Sequence, residues 1–240
     1  MIVIASSPVL FAFPSAGQTP AAQIYQSAPA TNKAASRFSL KLNTAFKNEP
    51  KIFQQDAQDN LDIVWSLFGE NLSRAQELGF GTDPKATKVS PIPFLILHVG
   101  LKDLRGFTPD KDVSDLLIFT NQLLFPIEIN NKVTSSITLR LLETQKKTDH
   151  GNKETGLRLA RWGLPRLIKQ LTAELPPDTL GFLVSIPSLN RKFLGYDDSA
   201  DLKLVPLASD RLFQAGKPLP AKEVFLRLVE EAKSVDESPR

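Results

Sequence analysis

The stretch LLFPIEINNKVTSSITLRLL, residues 123–142, contains the clearest folding signal in the chain. Asn130 and Asn131 separate two apolar runs, and asparagine tolerates the positive φ angles that a two-residue hairpin turn requires. After the turn the chain alternates between a mainly apolar face and a polar face, which comprise Val133, Ser135, Ile137, Leu139 and Leu141 against Thr134, Ser136, Thr138 and Arg140. This pattern predicts an antiparallel β-hairpin in the centre of the fold.

Further strands are predicted on both sides of the hairpin. Residues 94–99, FLILHV, form a nearly continuous apolar run, which is typical of a strand that is buried on both faces. Pro126 has no N–H to donate, so we expect its strand to lie at a sheet edge or to be bulged there. Short apolar or alternating runs predict the other strands, at residues 116–119, 156–162, 181–186 and 202–207.

About three amphipathic helices accompany these strands. Residues 56–78 carry apolar side chains at three- and four-residue steps, and Gly79 is placed to end that helix in a left-handed turn. A second helix begins near Pro165 and stops before Pro176, and a third covers about residues 220–234. Strands cluster together, with helices before, between and after them, so the sequence predicts an α+β fold with a mostly antiparallel sheet.

The chain of 240 residues is long enough to bury a substantial core. We expect one α+β domain over residues 36–235, with a loose tail at residues 236–240. The alternative is two small lobes joined near residues 176–177. Residues 18–35 are rich in alanine, serine and proline, which predicts a flexible linker.

The first charged residue of the chain is Lys33. Residues 1–17 combine an apolar run with small residues, which predicts a secretory signal peptide, although the usual basic residues are missing from its start. Ser15 and Gly17 suit cleavage before Gln18, and Thr19 and Ala21 offer a second cleavage site. No segment has the roughly 20 apolar residues that a transmembrane helix needs. We therefore expect a soluble protein that is periplasmic or secreted, or cytoplasmic if residues 1–17 are not a signal.

The composition excludes several kinds of site. The chain has no cysteine, so it forms no disulfide, thiolate metal site or thiol nucleophile. Its two histidines, His98 and His150, lack metal-ligand spacing, and the sequence contains no serine-hydrolase, P-loop or dinucleotide-binding motif. The net charge of +3 is small and no nucleic-acid-binding motif occurs. The sequence thus predicts no metal, no cofactor and no nucleic-acid partner.

Basic residues are concentrated at residues 153–169, where five cations face one acidic residue. On a regular strand Arg158 and Trp162 share one face and Arg161 lies on the other, and the following helix brings Arg166 and Lys169 together. The candidate binding surface, for an anion or an acidic partner, therefore consists of Arg158, Trp162, Arg166 and Lys169. The competing interpretation is an ordinary solvated charged face.

Three functions remain open on these observations. The first is a non-enzymatic binding or accessory protein of the cell envelope, which binds a protein partner or a small anionic ligand. The second is a hydrolase whose Asp, Ser and His residues meet only in the fold. The third is a chaperone-like accessory protein with an apolar groove on the helix of residues 56–78 or an edge strand at Pro126. The signal-like start and the missing catalytic motifs favour the first.

Overall fold

The structure, a computed structural model, describes residues 53–142, 156–177, 179–198 and 201–235. Over these ranges five α-helices and a nine-stranded, mostly antiparallel sheet form an α+β fold, which confirms the predicted fold class. None of these helices has the length and apolar content needed to cross a bilayer. The predicted signal peptide, linker and tail, and also His150, lie outside the described residues.

The sheet is a single layer in which neighbouring strands follow a simple order. The strands are β1 (Thr87–Val89), β2 (Phe94–His98), β3 (Ile118–Ile129), β4 (Lys132–Leu142), β5 (Gly156–Trp162), β6 (Gly181–Ile186), β7 (Arg191–Asp198), β8 (Asp201–Pro206) and β9 (Leu219–Pro220). Their order across the sheet is β5-β4-β3-β2-β6-β7-β8-β9, and β1 also pairs with β3. Every described strand pair is antiparallel except that of β2 with β6.

The helices cover both faces of the sheet. They are α1 (Gln54–Phe68), α2 (Leu72–Glu77), α3 (Leu101–Arg105), α4 (Pro165–Glu174) and α5 (Ala221–Ser234). The larger core contains buried residues of α1, α2, α3 and α5, whereas α4 packs on the opposite face. Leu95 belongs to the larger core and its neighbour Phe94 to the α4 side. This burial on both faces explains why β2 is apolar from Phe94 to Leu97.

The predicted hairpin turn is confirmed. Asn130 and Asn131 both have positive φ angles, of 53° and 60°, and they connect β3 to β4. The strands predicted at residues 116–119 and 123–129 are one continuous strand, β3. Asn121, with a φ of 56°, accommodates an irregularity within β3, opposite a register shift in β2.

The prediction that Pro126 marks an edge strand is wrong, because β3 lies inside the sheet. The alternative of a bulge is closer, since the pairing of β3 with β4 shifts register between Ile127 and Glu128. Two short strands, β1 and β2, lie along the other side of β3, and their pairings stop at Ile127 and Leu124. Pro126 falls in the gap between these pairings, where its missing N–H interrupts neither ladder.

The single helix predicted at residues 56–78 is two helices. The first, α1, ends at Phe68 because Gly69 adopts a φ of 53°, and Asn71 then starts α2 by accepting a hydrogen bond from the Arg74 N–H at 3.1 Å. The apolar period continues through this break because both helices bury residues in the same core. Gly79, with a φ of 81°, makes the predicted left-handed turn.

Candidate functional site

The register of β5 determines which of the predicted site residues share a face. Arg158 lies opposite Arg140 of β4, and Trp162 lies opposite Ile137, but the register shifts between Thr138 and Leu139. The shift leaves Ala160 as an extra residue, so side chains before and after it do not follow simple alternation. Arg158 and Arg161 therefore share one face, and the prediction that Arg158 shares a face with Trp162 is wrong.

Trp162 belongs to the side of the sheet that carries the larger core. Its register partner Ile137 is fully buried there, and Leu157 and Leu159 of β5 pack against the same core. The indole is nevertheless 37% exposed, because it lies at the end of the outermost described strand. Trp162 therefore does not lie on the face that Arg158 and Arg161 share.

The helix α4 holds the other two predicted residues. Ile168 and Leu171 are buried against the sheet, while Arg166 and Lys169 are both exposed. Arg166 lines a cavity, and Lys169 is not among the residues that line it. The structure thus divides the predicted residues between two places. Arg158 lies on the outer strand β5, whereas Arg166 lines a cavity beside α4.

This cavity, which we call the α4 pocket, lies between α4, the start of β7 and the segment that follows β8. It has a volume of about 310 Å³. Gln170 joins two of its walls, because its Nε2 donates to the Leu207 carbonyl at 2.6 Å. The lining is mixed, with apolar side chains beside basic and amide ones: Arg166, Leu167, Gln170, Asn190, Arg191, Lys192, Phe193, Pro206, Leu207, Ala208 and Asp210.

Arg191 forms ion pairs with two carboxylates, which together carry one more charge than the guanidinium. Its Nε and Nη2 each donate to Glu231 of α5 at 3.0 Å, and its Nη1 donates to Asp210. The guanidinium also lies over the Phe213 ring, 5.3 Å from its centroid. Only 12% of the Arg191 side chain is exposed. This group therefore fastens the loop after β8 to α5, and its positive charge is already compensated.

Asp210 is held in its ionised form at the rim of the α4 pocket. Burial favours its neutral acid, but the N–H groups of Leu212 and Phe213 and the Arg191 guanidinium donate to its carboxylate. These donors outweigh burial and hold the pKa of Asp210 below its ordinary value. Asp210 thus keeps its negative charge, and its ion pair with Arg191, at physiological pH.

Two cations of the α4 pocket remain uncompensated. Arg166 and Lys192 form no ion pair with any carboxylate in the described ranges. Arg166 was identified from the sequence, whereas Lys192 was missed because the run RKFLGYDD of β7 was not recognised as a strand. A usable signal was Asn190, which precedes the run and adopts a φ of 51°, as turn residues before strands do.

The hydrolase hypothesis requires a histidine that meets a carboxylate and a serine, and His98 is the histidine in the described ranges. His98 of β2 is half-buried and lies beside Ser185 of β6 in the parallel register. No carboxylate in the described ranges forms an ion pair or hydrogen bond with this histidine, so the third group of a catalytic triad is not in place there. The same ranges contain no cluster of three or more His, Asp or Glu residues that could hold a metal ion.

The predicted apolar face of residues 56–78 is used internally. Leu61, Val64 and Phe68 are buried in the larger core. The large apolar residues of α1 that remain exposed are Ile63 and Leu67, at 50% and 61% exposure. They lie four positions apart and form a short apolar strip rather than a groove.

Comparisons with known proteins leave the function to be argued from these local arrangements. No protein-family model matches the chain, and searches among curated proteins and among solved structures gave no match either.

Proposed function

We propose that the chain is a non-enzymatic binding protein that takes a small anionic ligand in the α4 pocket. The observation that supports this most directly is the pair of uncompensated cations, Arg166 and Lys192, on the wall of a cavity of about 310 Å³. Pockets for small ligands typically start at about 300 Å³ and combine an apolar lining with a few polar groups. The α4 pocket has this mixed lining, and its volume lies at the lower end of that range.

The polar groups of the α4 pocket would make different contacts with an anion. The planar guanidinium of Arg166 suits a bidentate contact with a carboxylate or phosphate, and Lys192 adds a compact positive charge from β7. Arg191 pairs with both Asp210 and Glu231, a group with a formal charge of −1, so the positive charge of the pocket comes from Arg166 and Lys192. Leu167 and Leu207 supply apolar walls, so the pocket suits a small anion with a short apolar portion.

Isothermal titration calorimetry with inorganic phosphate, acetate and hexanoate tests this function. We expect at least one of these probes to bind, and Arg166→Gln to weaken its affinity by about tenfold or more, since a hydrogen bond to a charged group contributes about 1.5–3 kcal/mol. Lys169→Gln is the matched control: the side chain is an exposed cation of the same helix outside the pocket. Failure of all three probes, or equal losses in both variants, would reject the proposal.

We further propose that this binding protein is exported to the periplasm or secreted. The support is the uncharged stretch of residues 1–17, in which an apolar run is followed by the small residues Ser15, Ala16 and Gly17 just before Gln18. Mass spectrometry of the protein recovered from its native cells tests the proposal. An N-terminus at Gln18 is the expected result, and recovery of a cytosolic protein that retains Met1 would refute export.

A further inference from the structure

Three arginines occupy one face of the sheet at its β5 edge. Arg140 of β4 lies directly opposite Arg158 of β5, and Arg161 lies opposite Thr138, the next residue on that face. All three arginine side chains are exposed. The register shift beside Leu139 brings Arg161 to this face although it stands three positions after Arg158. We call Arg140, Arg158 and Arg161 the arginine row.

The arginine row is unfavourable for the isolated chain. Like charges directly opposite each other on neighbouring strands destabilise a sheet. No carboxylate in the described part of the chain forms an ion pair with Arg140, Arg158 or Arg161. A local rule of sheet pairing is thus broken without visible compensation, and such departures are expected at functional sites.

We propose that the arginine row is a docking surface for an acidic, extended segment of a partner protein. Carboxylates match the guanidinium fork, and glutamates at alternate positions of an extended segment would face the row together. A second copy of this chain is a poor occupant, because it would set arginines against arginines. A nucleic acid is also disfavoured: single strands bind to cations together with aromatic platforms, and Trp162 lies on the opposite face.

The docking uses side chains rather than addition of a strand to the sheet. Asn60 of α1 donates from Nδ2 to the Leu157 carbonyl at 3.2 Å, so α1 already occupies part of the β5 main chain. The extra residue Ala160 further interrupts the regular ladder that a docked strand needs. Charge, and not main-chain hydrogen bonding, is therefore the source of affinity, and binding must weaken as ionic strength rises.

Fluorescence polarisation with a labelled peptide that alternates glutamate and serine tests the proposal. We expect binding at low salt, and we expect Arg158→Gln to weaken it by about tenfold. Lys102→Gln removes an exposed charge on α3, remote in sequence from the arginine row, and serves as the matched control with unchanged binding. Thermal unfolding supplies a second readout: Arg158→Gln should raise the Tm, since it relieves the repulsion from Arg140.

Several outcomes would overturn this assignment. Equal binding by the wild type and Arg158→Gln would remove the role of the arginine row, as would the lack of any binding to the wild type. Tighter binding of a single-stranded oligonucleotide than of the peptide would replace the proposed partner class. The α4 pocket is tested by Arg166→Gln and not by Arg158→Gln, so failure of one proposal leaves the other standing.

Discussion

At the scale of single residues, two neighbouring serines on β4 are in contrasting situations. Ser135 and Ser136 are both fully buried. The Ser135 hydroxyl donates to the Leu78 carbonyl at 2.5 Å, whereas the Ser136 hydroxyl has no hydrogen-bond partner among the described residues. A buried hydroxyl without a partner costs desolvation free energy that no contact returns.

This contrast predicts opposite effects of the same substitution at adjacent positions. Ser135→Ala should lower the free energy of unfolding by about 1 kcal/mol, because the Leu78 carbonyl loses its donor. Ser136→Ala should leave the free energy of unfolding unchanged or raise it by up to about 1 kcal/mol. Urea unfolding followed by circular dichroism measures both values. Equal losses in the two variants would contradict the difference in their surroundings.

The pH dependence of stability should contain a contribution from Asp210. Its pKa is lower in the folded protein than in the unfolded chain, so the group stabilises the fold above its unfolded pKa of about 4 and loses that contribution as the pH falls through the folded value. We expect the Tm of the wild type to fall on acidification below about pH 4. In Asp210→Asn the Tm should be lower at neutral pH and should fall less in acid. Parallel Tm curves for the two proteins would argue against this contribution.

At the scale of elements, one glycine permits the packing of β6 on β7. Gly195 pairs with Phe182 across these strands, and a Cβ added at Gly195 would overlap the Phe182 ring. The ring therefore covers the glycine main chain and fills the place of a side chain. Glycine is required at position 195 because the Phe182 ring lies close to the main chain there, and not because of an unusual backbone angle.

Gly195→Ala should accordingly lower the free energy of unfolding by about 1–3 kcal/mol, the usual cost of overpacking a core. Gly106→Ala is the matched control, because a Cβ there would meet its nearest atom, the Asp103 carbonyl oxygen, at an ordinary 3.7 Å. We expect that variant to stay within about 0.5 kcal/mol of the wild type. Denaturant midpoints provide the comparison, and a neutral Gly195→Ala would show that the Phe182 ring moves aside freely.

Elements with a strong local signal were predicted, and short or polar ones were not. The helix α4, with Pro165 in its first turn, and the strand β6 follow the predicted patterns. Four elements were missed, of which β7 is the longest: β1, β7, β9 and α3. Three of these are too short to show a period, and β7 begins and ends with charged residues, so its apolar centre is brief.

At the scale of the whole molecule, the single sheet joins the two halves of the chain. The central pair β2 and β6 combines strands from before and after Pro176–Pro177, and α4 and α5 pack on opposite faces of the same sheet. Layers that share one sheet are expected to unfold together.

Two truncations on opposite faces test this cooperativity. Leu171→Ala beneath α4 and Leu228→Ala on α5 remove fully buried side chains, and each should lower the free energy of unfolding by about 2–5 kcal/mol. Circular dichroism and tryptophan fluorescence should give one coincident transition in both variants and in the wild type. Two separate transitions would instead support two lobes that meet near residues 176–177.

The candidate site was predicted only in part. Arg158, Arg166 and Lys169 were singled out because they are concentrated in a short stretch, and two of the four predicted residues, Arg158 and Arg166, now carry separate proposals. Arg140 and Lys192 were missed because both lie outside the basic stretch and reach their sites only through the pairing and packing of other strands, β4 and β7. No local count of charge can show such a pairing.

Turn chemistry and apolar periodicity act between near neighbours, so the Asn130–Asn131 turn, the doubly buried strand β2 and the three longer helices were predictable from local patterns. The face of Trp162, the ion pairs of Arg191 and the walls of the α4 pocket follow from the folded sheet alone. A single extra residue in β5 reverses a face, and Glu231 meets Arg191 from 40 positions away. Such contacts depend on strand register and on layer packing, which are properties of the assembled sheet.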